Sequence, residues 1–274
     1  MKRFQFILSL IGFFFQVESR ISAQENIIIS DSLAANAEIL ELVVESLERK
    51  MFKFSIGDYA VMADHKMKRT YRDTKAEIPG VKDESTISTT FSYTVISNAT
   101  DTALVTTEDW STVQTYYPQA LIPSFPLETM SVQKSARFTA WIYFNGDSSA
   151  TWALFIEKAS QEGGGLPIEM ILTDGSRLIE PRLVSSDPYF DYSHLFRSLL
   201  KMPAMGIEFY ENGKPLCALQ YYGGAKYRPK KDSHKSYGSC VWMHKGLDAN
   251  SEFVLAAAMS TILMMNNPYL VMNE

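Results

Sequence analysis

The sequence predicts an α+β fold dominated by antiparallel β-sheet, barrel-like or two-sheet, with an amphipathic N-terminal helix and a buried apolar C-terminal helix. Three observations predict it. Between residues 52 and 184, runs rich in β-branched and aromatic side chains alternate with polar residues and are broken by turn chemistry. Residues 32–51 carry apolar side chains at helical spacing. Residues 251–265 are apolar around nearly the whole circumference of a helix, which requires burial on all sides.

The first residues read as a leader rather than as part of the fold. Lys2 and Arg3 precede an uncharged apolar run of 12 residues, 4–15, and polar residues with Ser22 and Ala23 follow. This is the three-part pattern of a secretory signal peptide cleaved after Ala23. The run is short of the roughly 20 residues a spanning helix needs. The layout predicts secretion to the periplasm or outer surface of a Gram-negative bacterium, with no transmembrane segment after signal removal. In a eukaryotic secreted protein, Asn98-Ala99-Thr100 would be a glycosylation sequon.

The segment 32–51 follows, with Leu33, Ala37, Leu40, Val44, Leu47 and Met51 on one stripe and Glu38, Glu41, Glu45 and Glu48 mainly off it. Ser30, Asp31 and Ser32 are candidate N-caps. Strands then run to residue 184, with breaks at Pro79-Gly80, residues 98–101, Asn145-Gly146 and Asp174-Gly175; Asn-Gly and Asp-Gly suit the positive φ of tight hairpins. Residues 117–130 hold three prolines without clear period. The domain reading is a signal peptide over 1–23, a helix plus sheet half over 24–117, a linker or crossover loop over 118–135, and a β-rich half with the terminal helix over 136–274. The two halves read equally well as one continuous domain.

Residues 191–202 predict a short helix ended by Pro203. Residues 206–222 form the clearest hairpin, with an Asn212-Gly213 turn, and "SCVWMHK" gives the next strand. Cys217 and Cys240, the two cysteines of the chain, then face each other across an antiparallel pair. In an exported chain a Cys217–Cys240 disulfide is expected, against the alternative of two reduced thiols on neighbouring strands. The stretch "IEFYENGKPLCAL … GSCVWMHKGLDANSEFVLAAAMSTILM" resembles the C-terminal part of tubby-like and scramblase-like barrels over about a quarter of the chain. The resemblance implies an antiparallel barrel wrapped around a central C-terminal helix. Some of those families bind phospholipid headgroups; no site residue is carried over from them.

Candidate chemistry is sparse. Residues 145–149, Asn-Gly-Asp-Ser-Ser, resemble the Gly-Asp-Ser start of lipase-like serine hydrolases, and Asp191 and His194, either side of Tyr192 and Ser193, offer an acid and a base. The mid-chain position between two strands favours a hairpin turn instead. His65, His194, His234 and His244 are scattered, without metal-ligand spacing, and no phosphate-binding glycine loop occurs, so no metal or cofactor is expected. His244 shares a strand face with Cys240 and Trp242 by period two. After removal of residues 1–23 the chain has 23 basic and 30 acidic residues, a balance against nucleic acid. Residues 223–238 invert that sign: Lys226, Arg228, Lys230, Lys231 and Lys235 against Asp232, with Tyr227 and His234 among them, a net of +4. Lys226, Tyr227, Arg228, Lys230, Lys231, His234 and Lys235 are therefore the candidate binding residues, for an anionic lipid or glycan at the cell envelope. A solvated hairpin tip is the alternative. The expectation is a non-catalytic exported binding protein, with a secreted hydrolase whose site is assembled from strands as the alternative.

Overall fold

The computed structural model describes residues 26–48, 51–64, 68–74, 82–97, 101–116, 131–145, 147–160, 168–187, 203–222 and 240–265. In chain order these form α1 (Asp31–Asn36), β1 (Ala37–Leu40), β2 (Leu42–Glu48), β3 (Met51–Ile56), β4 (Tyr59–Asp64), β5 (Lys68–Thr74) and β6 (Lys82–Ser97). They continue with β7 (Thr102–Tyr116), β8 (Ser131–Phe144), β9 (Asp147–Ser160), β10 (Ile168–Thr173), β11 (Leu178–Ser185), β12 (Met205–Glu211), β13 (Lys214–Tyr222), β14 (Cys240–His244) and α2 (Ala249–Met265).

All strand pairs are antiparallel and belong to one sheet, in the order β1-β14-β13-β12-β11-β10-β9-β8-β7-β6-β4-β3-β2. β1 and β2 stand at opposite ends of that order, yet only Glu41 separates them in the chain. The sheet therefore returns on itself as a nearly closed 13-strand barrel, and β5 is a fourteenth strand beside the far half of β6. Residues 37–48 straddle the seam: β1 pairs with β14 on one side and β2 with β3 on the other. β7 and β8 pair from Ala103–Phe144 to Tyr116–Ser131, so the strands before and after residues 117–130 are neighbours in the one sheet. The last residues of the segment read as a linker, from Ser131 onward, are β8.

Turn chemistry sets the hairpins. Asn212 and Gly213 both have positive φ, +51° and +76°, and join Glu211 to Lys214 as an Asn-Gly two-residue turn should. Asn145, at φ +48°, opens the two-residue connection from Phe144 to Asp147. Asp174 and Gly175 instead lie in a four-residue connection between Thr173 and Leu178. Because neighbouring strands are antiparallel, these short turns share one end of the barrel, and β7–β8, β9–β10, β11–β12 and β13–β14 are joined at the other.

α2 fills the interior. From Ser251 to Ile262 every residue except Glu252 is buried, and Met264 is buried as well. Its apolar side chains share one core with Val61 of β4, Val95 of β6, Val105 of β7, Ile142 of β8, Leu219 of β13 and Met243 of β14. A helix apolar on all faces has found apolar walls on all faces. Ser260 and Thr261 spend their hydroxyls on the carbonyls of Ala256 and Ala257, at 2.7 and 3.0 Å, so polarity inside the barrel is satisfied locally. Tyr93 of β6 also donates to the Ala257 carbonyl at 3.3 Å and bonds Thr261.

Three expectations are corrected. The helix over 32–51 is only α1, six residues long, and residues 37–40 and 42–48 are strand. The open edges of β14 and β3 offer rows of backbone groups at the seam, and this segment satisfies both. Leu40 and Leu42 meet the core at a period of two, and Val43 and Val44 are poor helix formers, so tertiary pairing overrides the helical stripe. With α1 so short, the α+β label gives way to a predominantly β barrel holding one helix among the described residues. The disulfide is absent: Cys217 pairs in register with Met243, and Cys240 with Gln220. An odd offset along a strand means opposite faces. Cys217 points into the barrel core and Cys240 into a separate outer cluster, both buried and not bonded to each other.

Candidate binding surfaces

The basic stretch 223–239, with Lys226, Tyr227, Arg228, Lys230, Lys231, His234 and Lys235, lies outside the described residues, as do Asp191, Ser193, His194 and His65. The strands that flank the basic stretch stop at Tyr222 and Cys240, at the end of the barrel away from the short turns. Residues 147–149 belong to β9, and Asn145 opens a hairpin rather than a strand-to-helix elbow for a nucleophile. His244 accepts the Gly246 N–H at Nδ1, at 3.0 Å. It stands four residues from Cys240 on β14, roughly 13 Å along a strand, so the two do not form a thiol–imidazole pair. Among the described residues no group of His, Cys, Asp or Glu is placed to hold a metal ion.

At the short-turn end, polar groups converge on the start of α2. Asp248 accepts the Ser251 N–H at 2.9 Å and the Ser251 hydroxyl at 2.7 Å, an N-cap. Those hydrogen bonds hold the Asp248 carboxyl below the usual carboxylate range. Arg177 makes a fork to Glu211, 2.8 and 3.1 Å, reaches the Ser251 hydroxyl at 3.2 Å, and lies 5.3 Å over the Trp152 ring. The hydrogen bond to Glu211 raises the Arg177 pKa further. Tyr59 donates to Glu252 at 3.3 Å and stacks on Phe253, which Phe144 meets edge-on. Burial, then the Glu252 charge, pushes the Tyr59 phenol up. Each of these groups spends its capacity on fixing α2 in the barrel mouth. The cluster positions the helix.

On the outside, residues 26–36 form a strap across β11 to β14. Ile27 and Leu33 pack with Ala204, Ala218, Cys240 and Trp242. The strap is pinned by polar bonds: Ile27 N–H to the Gln220 side chain at 3.0 Å, Ile28 N–H to the Ser185 carbonyl at 3.0 Å, and Ser30 to Glu208. Tyr210 donates to Glu208 at 2.8 Å, and the Arg182 guanidinium sits 4.4 Å over its ring. Glu208 and Gln220 occupy outward positions of alternating strands, where the sequence pattern reads as solvated surface. Only the strap makes them interior, and no local signal announces it.

The outer wall of β7 to β11 carries an uncovered apolar patch. Leu104 pairs with Tyr143, Phe155 pairs with Ile171, and Trp141 and Leu178 lie in the row between them. Leu104, Phe155, Ile171 and Leu178 are each 39–50% exposed. Acidic Glu108 stands at the β7 end of the Phe155–Ile171 row, and Glu157 and Glu169 stand in the next row, with Arg137 bonded to Glu157 at 3.4 Å. No family model, curated protein or solved structure matches the chain.

Proposed function

We propose that the chain is an exported, non-catalytic binding protein of the Gram-negative cell envelope that engages an anionic group, phosphate or carboxylate, carried by a lipid or a glycan. The observation that carries this reading is the filled interior. α2 occupies the barrel axis from Ser251 to Met264, so contact with a ligand falls to the outer wall and the barrel ends. At the end away from the short turns, β13 and β14 are joined by the stretch whose net charge is +4, on a chain of net charge −5. Clustered lysines with interleaved tyrosines suit anionic headgroups and sugars. The resemblance in element order to tubby-like and scramblase-like barrels supports the same ligand class. Export rests on the leader pattern of residues 1–23.

The test is co-sedimentation of the full chain with phosphatidylcholine vesicles, with and without phosphatidylglycerol, beside retention on immobilised lipopolysaccharide. Binding to either anionic probe, weakened by salt, is the expected result. At roughly 1 kcal/mol per basic residue near an anionic surface, Lys230→Glu with Lys231→Glu should weaken it by about 30-fold or more. Vesicle binding alone assigns a lipid, and retention alone a glycan. Equal binding by the variant, or none by the wild type, overturns the reading.

A further inference from the structure

β5 leaves one edge open. It pairs along its whole length with β6, from Lys68–Thr90 to Thr74–Glu84, and among the described residues nothing pairs with its other side. The barrel wall departs from it because β3 pairs only as far as Met51–Asp64, before β5 begins. Among the described residues, Lys68–Thr74 thus offer a row of backbone groups that no strand takes up, the template on which a further strand adds.

The sequence on that edge, KRTYRDT, selects its occupant. Only alternate residues of a strand direct their N–H and C=O groups to one side, so two copies of the same edge pair antiparallel only in registers that oppose residues of the same parity. Three such registers lie near the middle of β5. Centred on Thr70, Lys68 meets Arg72 of the second copy, a like-charge contact made twice. Centred on Arg72, that arginine meets itself. Centred on Tyr71, Arg69 meets Asp73 of the second copy and Asp73 meets its Arg69, Tyr71 meets Tyr71, and Thr70 and Thr74 take the positions opposite Arg72 and Lys68. That register has two opposite-charge pairs, an aromatic pair on the axis and no like charges directly opposite each other. We propose that the free edge of β5 is an isologous interface, at which two copies of this chain join β5 to β5 about a two-fold axis at Tyr71 and continue the sheet from one barrel into the next.

Lysine and arginine on an edge also serve to repel other strands. Repulsion alone has no use for Asp73 two positions beyond Tyr71, balancing Arg69 two positions before it.

Sedimentation equilibrium of the full chain over a concentration series tests this. The expected result is a monomer–dimer equilibrium. Arg69→Asp sets acid against Asp73 and should weaken association tenfold or more. Adding Asp73→Arg exchanges the pair and should restore it, with circular dichroism confirming that both variants fold. Tyr71→Cys places two thiols on the axis and should give an oxidised dimer, since Cys217 and Cys240 are buried. A monomer at every concentration, a dimer indifferent to Arg69→Asp, or an exchanged variant that stays monomeric overturns the proposal. Should Tyr71→Cys not fold, the charge exchange decides.

Discussion

Glu208 holds Ser30 through three contacts: its carboxylate accepts the Ser30 hydroxyl at 2.5 Å and the Ser30 N–H at 3.2 and 3.3 Å. Glu208 is 2% exposed, so the strap and the carboxylate depend on each other. Hydrogen bonds to a charged group contribute about 1.5–3 kcal/mol. Glu208→Ala should lower global stability by about that amount and release the strap. Urea denaturation reads the first effect, and faster amide exchange at Ile27 and Ser30 reads the second.

Gly206 should tolerate no side chain. A Cβ there would stand 2.4 Å from the Leu219 carbonyl oxygen and 2.7 Å from Ile27 Cδ1. The first contact is backbone and cannot yield without moving β13. Gly206→Ala is therefore expected to cost about 1–3 kcal/mol, the range of overpacked cores. Thermal unfolding of the variant beside wild type measures it.

Features with local causes were legible in the sequence; those set by remote partners were not. Asn212-Gly213 declares its turn through φ angles that few residues reach, and α2 declares its burial through its own apolar circumference. Leu40 fits the helical stripe, and with Leu42 it fits a strand face equally well. The edges of β14 and β3 decided between them, and those lie far away in the chain for β14. Cys217 and Cys240 fall on neighbouring strands as expected, but their faces depended on a register that a difference of one residue reverses. Glu208 reads as solvated because nothing within β12 shows that residues 26–36 return to cover it.

The cap at Asp248 predicts an acid-sensitive contribution. Ser251 holds the Asp248 carboxyl below its unfolded value, so its stabilisation is present above that value, near 4, and is lost as pH falls through the lowered folded pKa. Asp248→Ala should cost about 0.5–2 kcal/mol at neutral pH, as lost caps do. The gap between variant and wild type should narrow in acid. Denaturation at pH 7 and at pH 3 tests both the size and the sign.

Neither thiol should behave as half of a disulfide. Burial, and then the Glu208 charge, raises the Cys217 thiol well above its ordinary range, which suppresses the reactive thiolate. Intact mass should be the same with and without reductant. Iodoacetamide should label Cys217 and Cys240 in denaturant and leave both unmodified in the folded protein. A two-dalton mass increase on reduction would contradict the opposite-face placement.

Met259 tests whether α2 is the axis of the core. Its side chain is fully buried among apolar residues, and the same helix touches β4, β7, β8 and β13. Met259→Ala removes contacts and leaves a cavity between walls that cannot collapse inward together, so it should cost about 2–5 kcal/mol. Ala257, also fully buried, tests the opposite error. Ala257→Leu adds volume where Tyr93 already reaches the Ala257 carbonyl, and should cost about 1–3 kcal/mol or more. A helix lying on one open sheet could tilt away and absorb either change. A helix ringed by strands cannot, so both substitutions should destabilise, and chemical denaturation of the pair distinguishes the two packings.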